Sequence, residues 1–107
     1  MKIFFAVESD AGLDSKIDNR FGRAAYFLIY DTGKEEIDSM EKNPFLNQAH
    51  GGGIQVGNHV IQRKCQIVVG PKFGPKVEEV LKAANVDLII AENSPVKEIL
   101  KKIKSGS

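Results

Sequence analysis

His50-Gly51-Gly52-Gly53 places an imidazole beside a run of side-chain-free backbone, just where the apolar helical spacing Ile54, Gly57, Val60, Ile61 begins. The first turn of a helix carries N–H groups with no internal partner and a partial positive charge, and glycines let an anionic or bulky ligand come close to that backbone. His50 can add a coordinate bond. The chemistry on offer is capture of an anionic or bulky ligand by open backbone donors and an imidazole. Taken alone, the same run also suits a plain flexible connection into a helix. Arg20, Arg23 and Lys72 add positive charge in other loops, while Glu8, Asp10 and Asp14 oppose them. These acids lack calcium-loop spacing, and Asp10 and Asp14 read as turn residues.

The chain has a single cysteine, Cys65, so it forms no internal disulfide and suits a reducing cytoplasm. An ordinary protein-held iron–sulfur cluster takes four thiolates, which excludes a permanent cluster of that kind. Fifteen basic against fourteen acidic residues leave a net charge of +1, so no overall field points to nucleic acid or to a membrane surface. Met1-Lys2 leads straight into the short apolar run 3–7, so neither a secretory leader nor a membrane span is expected.

The elements that must position these residues follow from hydrophobic period. The continuous apolar run 3–7 predicts a central strand covered on both faces. Segments 26–30 and 37–40 flank the turn residues Asp31-Thr32-Gly33-Lys34 and predict an antiparallel hairpin with a polar edge strand. From residue 53 the period alternates: helix 54–64, strand 67–69, helix 75–84, strand 86–90, helix 95–104. Pro75 and Pro95 suit first turns, Ser94 an N-cap, and Asn85 a left-handed helix end. Right-handed crossovers then give an α/β fold, a five-stranded mixed sheet with only its second strand antiparallel and three helices packed on it. The whole of 1–104 is expected to form a single domain, with 105–107 a frayed end. Tracing the strands gathers loops 8–23, 43–53, 70–75 and 92–94 at one edge, where ligands of open α/β sheets bind.

Three ordered segments on that edge carry a resemblance: Asp18-Asn19-Arg20-Phe21-Gly22-Arg23-Ala24-Ala25-Tyr26-Phe27, Ala49-His50-Gly51-Gly52-Gly53-Ile54-Gln55 and Gly70-Pro71-Lys72-Phe73-Gly74-Pro75. Together they resemble the dinitrogenase iron-molybdenum cofactor biosynthesis family, which includes NifX-like carriers and the C-terminal domain of NifB-type proteins. The resemblance implies a ribonuclease H-like fold and a nitrogen fixation-related carrier of an iron–sulfur or iron-molybdenum type cluster, bound transiently. It implies His50 as a metal ligand with Gly51, Gly52 and Gly53 as backbone donors, and a Phe21-Gly22-Arg23 motif in the binding site, in which Gly22 lets the loop turn and Arg23 is the countercharge. Metallocluster donor and recipient proteins would then be the partners, and the protein itself a monomer or weak homodimer.

Cys65 falls at the far end of the helix that His50 begins, roughly 18 Å along the axis at about 1.5 Å per residue, so one monomer cannot bring both to one metal. A helical wheel sets Cys65 beside Ile54 and Ile61, as a core residue, and His59 beside Gln55 and Gln62, as a solvated one. No nucleophile–base pair or paired catalytic carboxylates can be assembled, so no enzyme is expected. A two-metal nuclease is excluded because the central strands carry Phe4, Phe5, Val68, Val69, Leu88 and Ile89 where acids would be needed. A phosphate or nucleotide module stays open, although the glycine run lacks P-loop and Gly-x-Gly-x-x-Gly spacing. A cargo-free interaction protein also stays open.

Overall fold

The computed structural model describes residues 1–47 and 52–106. His50 and Gly51 therefore lie outside the described residues. Five strands, β1 (Lys2–Val7), β2 (Tyr26–Asp31), β3 (Glu36–Lys42), β4 (Ile67–Gly70) and β5 (Asp87–Ile90), form one sheet in the order β3-β2-β1-β4-β5. β1 runs antiparallel to β2 and parallel to β4, β2 is antiparallel to β3, and β4 is parallel to β5. Only β2 opposes the others, as its hairpin pattern predicts. Three helices, α1 (Gly52–Gln62), α2 (Pro75–Ala83) and α3 (Val96–Gly106), complete the fold. Among the described residues no helix is long and apolar enough to cross a membrane.

Alternation along β1 sorts the core into two layers. Phe4 and Ala6 join Phe27, Ile29 and Val68 beneath α1 and α2, which contribute Val56, Val60, Val77 and Leu81. Ile3, Phe5 and Val7 join Leu28, Tyr30 and Val69 beneath α3, which contributes Val96, Ile99 and Leu100. Each fully buried side chain of this size is worth about 1.5–3 kcal/mol. Burial on both faces explains why β1 reads as an unbroken apolar run.

The helix ends follow backbone physics with some departures from expectation. α1 starts two residues before the expected Ile54, which puts Gly52 and Gly53 inside its first turn. It closes with Cys65 N–H donating to the Val60 carbonyl (3.2 Å) and Lys64 N–H to that of Ile61 (3.0 Å), and Lys64 sits at φ 59°. α2 closes the same way on Asn85, at φ 60°, as expected. These are Schellman ends, which glycine or asparagine fits best. Lys64→Gly is therefore expected to stabilise the protein by about 0.5–1 kcal/mol, read as a small rise in the urea midpoint. Ser94 does not cap α3. Its hydroxyl donates to the Glu92 carbonyl (3.2 Å). The first amide of α3, Val96 N–H, instead donates to the carbonyl of Ser15 (2.9 Å), a cap supplied by a loop distant in sequence. α3 also runs to Gly106 instead of ending at Lys104.

Candidate functional site

All three helices start at the edge where β1, β3, β4 and β5 end, and the long loop after β1 folds back over it. That loop is pinned at its base. Glu8 N–H donates to the Lys16 carbonyl (3.0 Å), Asp18 N–H to that of Ala6 (3.0 Å), and Ile17 N–H to that of Ser94 (3.1 Å). Asp18 then organises its second half. The carboxylate is 3% exposed and accepts from Arg20 N–H (3.0 Å), Arg20 Nε (3.4 Å) and Ala25 N–H (3.1 Å). Arg20 is thus partly neutralised by Asp18. Lys72, in the β4–α2 connection, has no ion-pair partner among the described residues.

Within this loop the Phe21-Gly22-Arg23 motif divides its work. Phe21 is buried, 6% exposed, and meets Phe73 edge to face at 4.9 Å between ring centroids. Both rings press on Gly70 at the end of β4, where a Cβ would stand 3.0 Å from Phe21 and 3.3 Å from Phe73. Gly22 lies against the start of α1. A Cβ on it would fall 2.5 Å from the Gly53 nitrogen and 2.9 Å from the Gly52 carbonyl carbon, and a Cβ on Gly52 would meet the Gly22 oxygen at 3.2 Å. Two backbones touch here because neither carries a side chain. Arg23 is exposed and donates from Nη1 to the Leu46 carbonyl (3.2 Å), which ties it to the segment leading toward residue 50.

Asn43 was not anticipated from sequence, although it holds this arrangement together. It is 4% exposed, donates from Nδ2 to the carbonyls of Ala24 (2.8 Å) and Gly22 (3.3 Å), and accepts from Phe45 N–H (2.7 Å) at Oδ1. Nothing in its neighbourhood along the chain signals those partners. The polar Asx character of Asp18 and Asn43 was the available hint, since such residues organise turns.

Beside the Gly22–Gly53 contact, the first turns of α1 and α2 enclose a cleft of about 480 Å³, walled by Gly52, Gly53, Ile54, Gly74, Pro75, Lys76 and Val77. Gly74 occupies the N-cap of α2 with Pro75 after it, and no side chain caps that end. Helix starts carry unpaired amides and a partial positive charge, and Lys76 adds a full one, so the cleft favours an anion.

Two other residues fall differently. Cys65 is buried at 4% exposure among the apolar groups under α1 and α2, as its place on the wheel implied. Burial pushes its thiol up from 9.0 to about 11. The thiolate population at neutral pH then falls about a hundredfold, so native protein at pH 8 is expected to react with Ellman's reagent about a hundredfold slower than urea-unfolded protein. Because the folded value is raised, the stability this thiol contributes is complete below pH 9 and declines as pH climbs toward 11.

His59 is not the solvated side chain that the wheel suggests. It is 15% exposed, its Nε2 lies 2.8 Å from Glu41 Oε1, and its ring packs against Phe4, Phe27 and Phe45 at centroid distances of 6.2, 5.6 and 5.6 Å. Arg63 joins the same Glu41 oxygen at 2.9 Å and donates to Ser39 Oγ at 2.9 Å. The wheel sees only the stripe α1 turns to the sheet's centre, whereas β3 and Phe45 supply a second wall. Asp14 pairs with Lys97 at 2.6 Å, away from the glycines. Among the described residues no three or more His, Cys, Asp or Glu side chains gather as they would around a metal ion.

Known proteins share this fold. The chain is similar to the apo form of the orange protein from Desulfovibrio gigas, with a TM-score of 0.88 and 25% identity over 98% of this chain and 88% of that one. It is similar to a Thermotoga protein described as a candidate NifB protein, with a TM-score of 0.79 and 28% identity over 98% and 88%. In sequence it is 24% identical to an uncharacterized protein of Methanocaldococcus jannaschii over 99% of this chain and 87% of the relative. The family described as dinitrogenase iron-molybdenum cofactor matches residues 1–106, essentially the whole of the fold that seats Gly22 on Gly52 and Gly53, and the chain belongs to that family.

Proposed function

We propose that this protein binds a preassembled, negatively charged metallocluster of the iron–sulfur or iron-molybdenum cofactor type and carries it between donor and recipient proteins during cofactor assembly. It holds its cargo without transforming it. The observation that supports this reading is the backbone contact of Gly22, the residue before Arg23, with Gly52 and Gly53 in the first turn of α1, which also lines the cleft shared with α2. His50 supplies the coordinate bond, the amides of Gly51, Gly52 and Gly53 donate hydrogen bonds to the negatively charged cluster, and Arg23 complements its charge. Phe21 and Gly22 keep that rim in place. One coordinating side chain suits a carrier, because a cluster that brings most of its own ligands must also leave.

The test is anaerobic incubation of the full chain with iron and sulfide, or with isolated iron-molybdenum cofactor, followed by gel filtration read by visible absorption. Colour is expected to co-elute with wild type, to be lost with His50→Ala and to be weakened by Arg23→Glu. Equal retention by wild type and His50→Ala would remove His50 as anchor. If inorganic phosphate raises the melting temperature while no cluster is retained, the edge is a phosphate-binding site instead.

A further inference from the structure

The two faces of the sheet are covered unequally, with α1 and α2 on one and, among the described residues, α3 as the only α-helix on the other. A helix with its side chains is about 10–12 Å across, whereas five strands about 4.8 Å apart span roughly 19 Å. One helix therefore leaves a flank bare. That flank is a groove of about 550 Å³ between β5 and α3, walled by the apolar residues Ile89, Ile90, Ala91, Ile99 and Ile103 with Ser94, Glu92 and Lys102 as its polar members, and Ile90 is 67% exposed.

β5 is also the last strand of the sheet. Asp87 N–H donates to the Gln66 carbonyl and Ala91 N–H to that of Gly70, so the odd-numbered residues face β4 and the backbone groups of Leu88 and Ile90 face outward. The two sheet edges differ in kind. β3 carries Glu36, Asp38, Glu41 and Lys42 and meets β2 with a register shift, features that discourage pairing with another chain. The core of β5 is Leu88-Ile89-Ile90, without charge or bulge.

We infer that this flank joins two copies of the chain, β5 pairing antiparallel with β5 of a second copy about a two-fold axis so that the sheet continues from one molecule into the next. Charge complementarity selects a second copy as the occupant. Strand alternation places Asp87 on the same face as Ile89 and Ala91, the face of α3. With Leu88 opposite Ile90 of the second copy and Ile89 at the axis, Asp87 stands opposite Ala91 of that copy, and its carboxylate enters the groove where Lys102 has no ion-pair partner among the described residues. The two-fold axis repeats that pair in reverse. Glu92 falls opposite the uncharged Val86 in this register, so no like charges oppose one another. Ile89, Ile99 and Ile103 of both copies close over the seam.

Sedimentation velocity of the full chain across a concentration series tests this. Wild type is expected to be a reversible dimer. Ile90→Lys and Lys102→Glu are each expected to weaken it by about tenfold or more, and Asp87→Lys combined with Lys102→Glu to restore it. Far-UV circular dichroism should stay unchanged, because all three positions lie on the bare flank. A wild type that stays monomeric at the highest soluble concentration overturns the proposal, as does a dimer indifferent to Ile90→Lys or a charge swap that restores nothing. Cluster retention by the monomeric variants reports separately on the carrier reading.

Discussion

Phe21→Ala is expected to destabilise the protein by about 3–4 kcal/mol, lowering the melting temperature by on the order of 15 °C. The ring is 6% exposed and wedged between Phe73 and the bare backbone of Gly70, so truncation removes apolar burial and leaves a void that its neighbours cannot easily fill. Collapse is hindered because Gly70 lies in β4, paired with β5, and cannot move toward the gap without breaking the ladder. Phe21→Leu keeps most of the volume and is expected to lose less than half as much. Urea unfolding of the three proteins measures this. A midpoint for Phe21→Ala indistinguishable from wild type would mean that the loop is not anchored through this ring.

Gly22→Ala should be nearly as severe for a different reason. The added Cβ would lie 2.5 Å from the nitrogen of Gly53 and 2.9 Å from the carbonyl carbon of Gly52. Both obstacles are backbone atoms of a helix start, with no rotamer to turn aside, so either the loop or the first turn of α1 must move. Overpacking of this kind costs about 1–3 kcal/mol, and the upper part of that range is expected because relief also strains the Asn43 Nδ2 bond to the Gly22 carbonyl. Cluster retention should fall with it, since Arg23 and the glycine amides lose their mutual register. Gly74→Ser is the matching control. Nothing lies within 4 Å of its would-be Cβ, and serine suits the N-cap it occupies. Loss of stability in Gly74→Ser but not in Gly22→Ala would invert the assignment of which glycine is sterically required.

Both effects rest on neighbours that are far apart in the chain, and this divides what could be read in advance from what could not. The five strands and three helices, the central first strand covered on both faces and the single antiparallel strand were legible, because period-2 and period-3.6 apolar patterns record which face of each element meets the sheet's interior. Cys65 was legible for the same reason. The gathering of loops at one edge followed from strand direction alone. Ser94, by contrast, has the right type and position for a cap, yet the carbonyl of Ser15 reaches the first amide of α3 instead. The chain pattern carries no record of that competitor.

Hydrophobic period and crossover handedness leave few alternatives to the α/β architecture and to a common rim for the Phe21-Gly22-Arg23 loop and the start of α1. How tightly they meet is a matter of packing in three dimensions. The 2.5 Å approach at Gly22, the carboxylate of Asp18 folded under the loop, the amide of Asn43 spanning Gly22, Ala24 and Phe45, and the enclosure of His59 by three phenylalanines all depend on side chains from separate segments competing for the same space and the same hydrogen bonds. Local pattern fixes which face an element buries. Which polar group satisfies another, and how close two backbones come, is settled by three-dimensional packing.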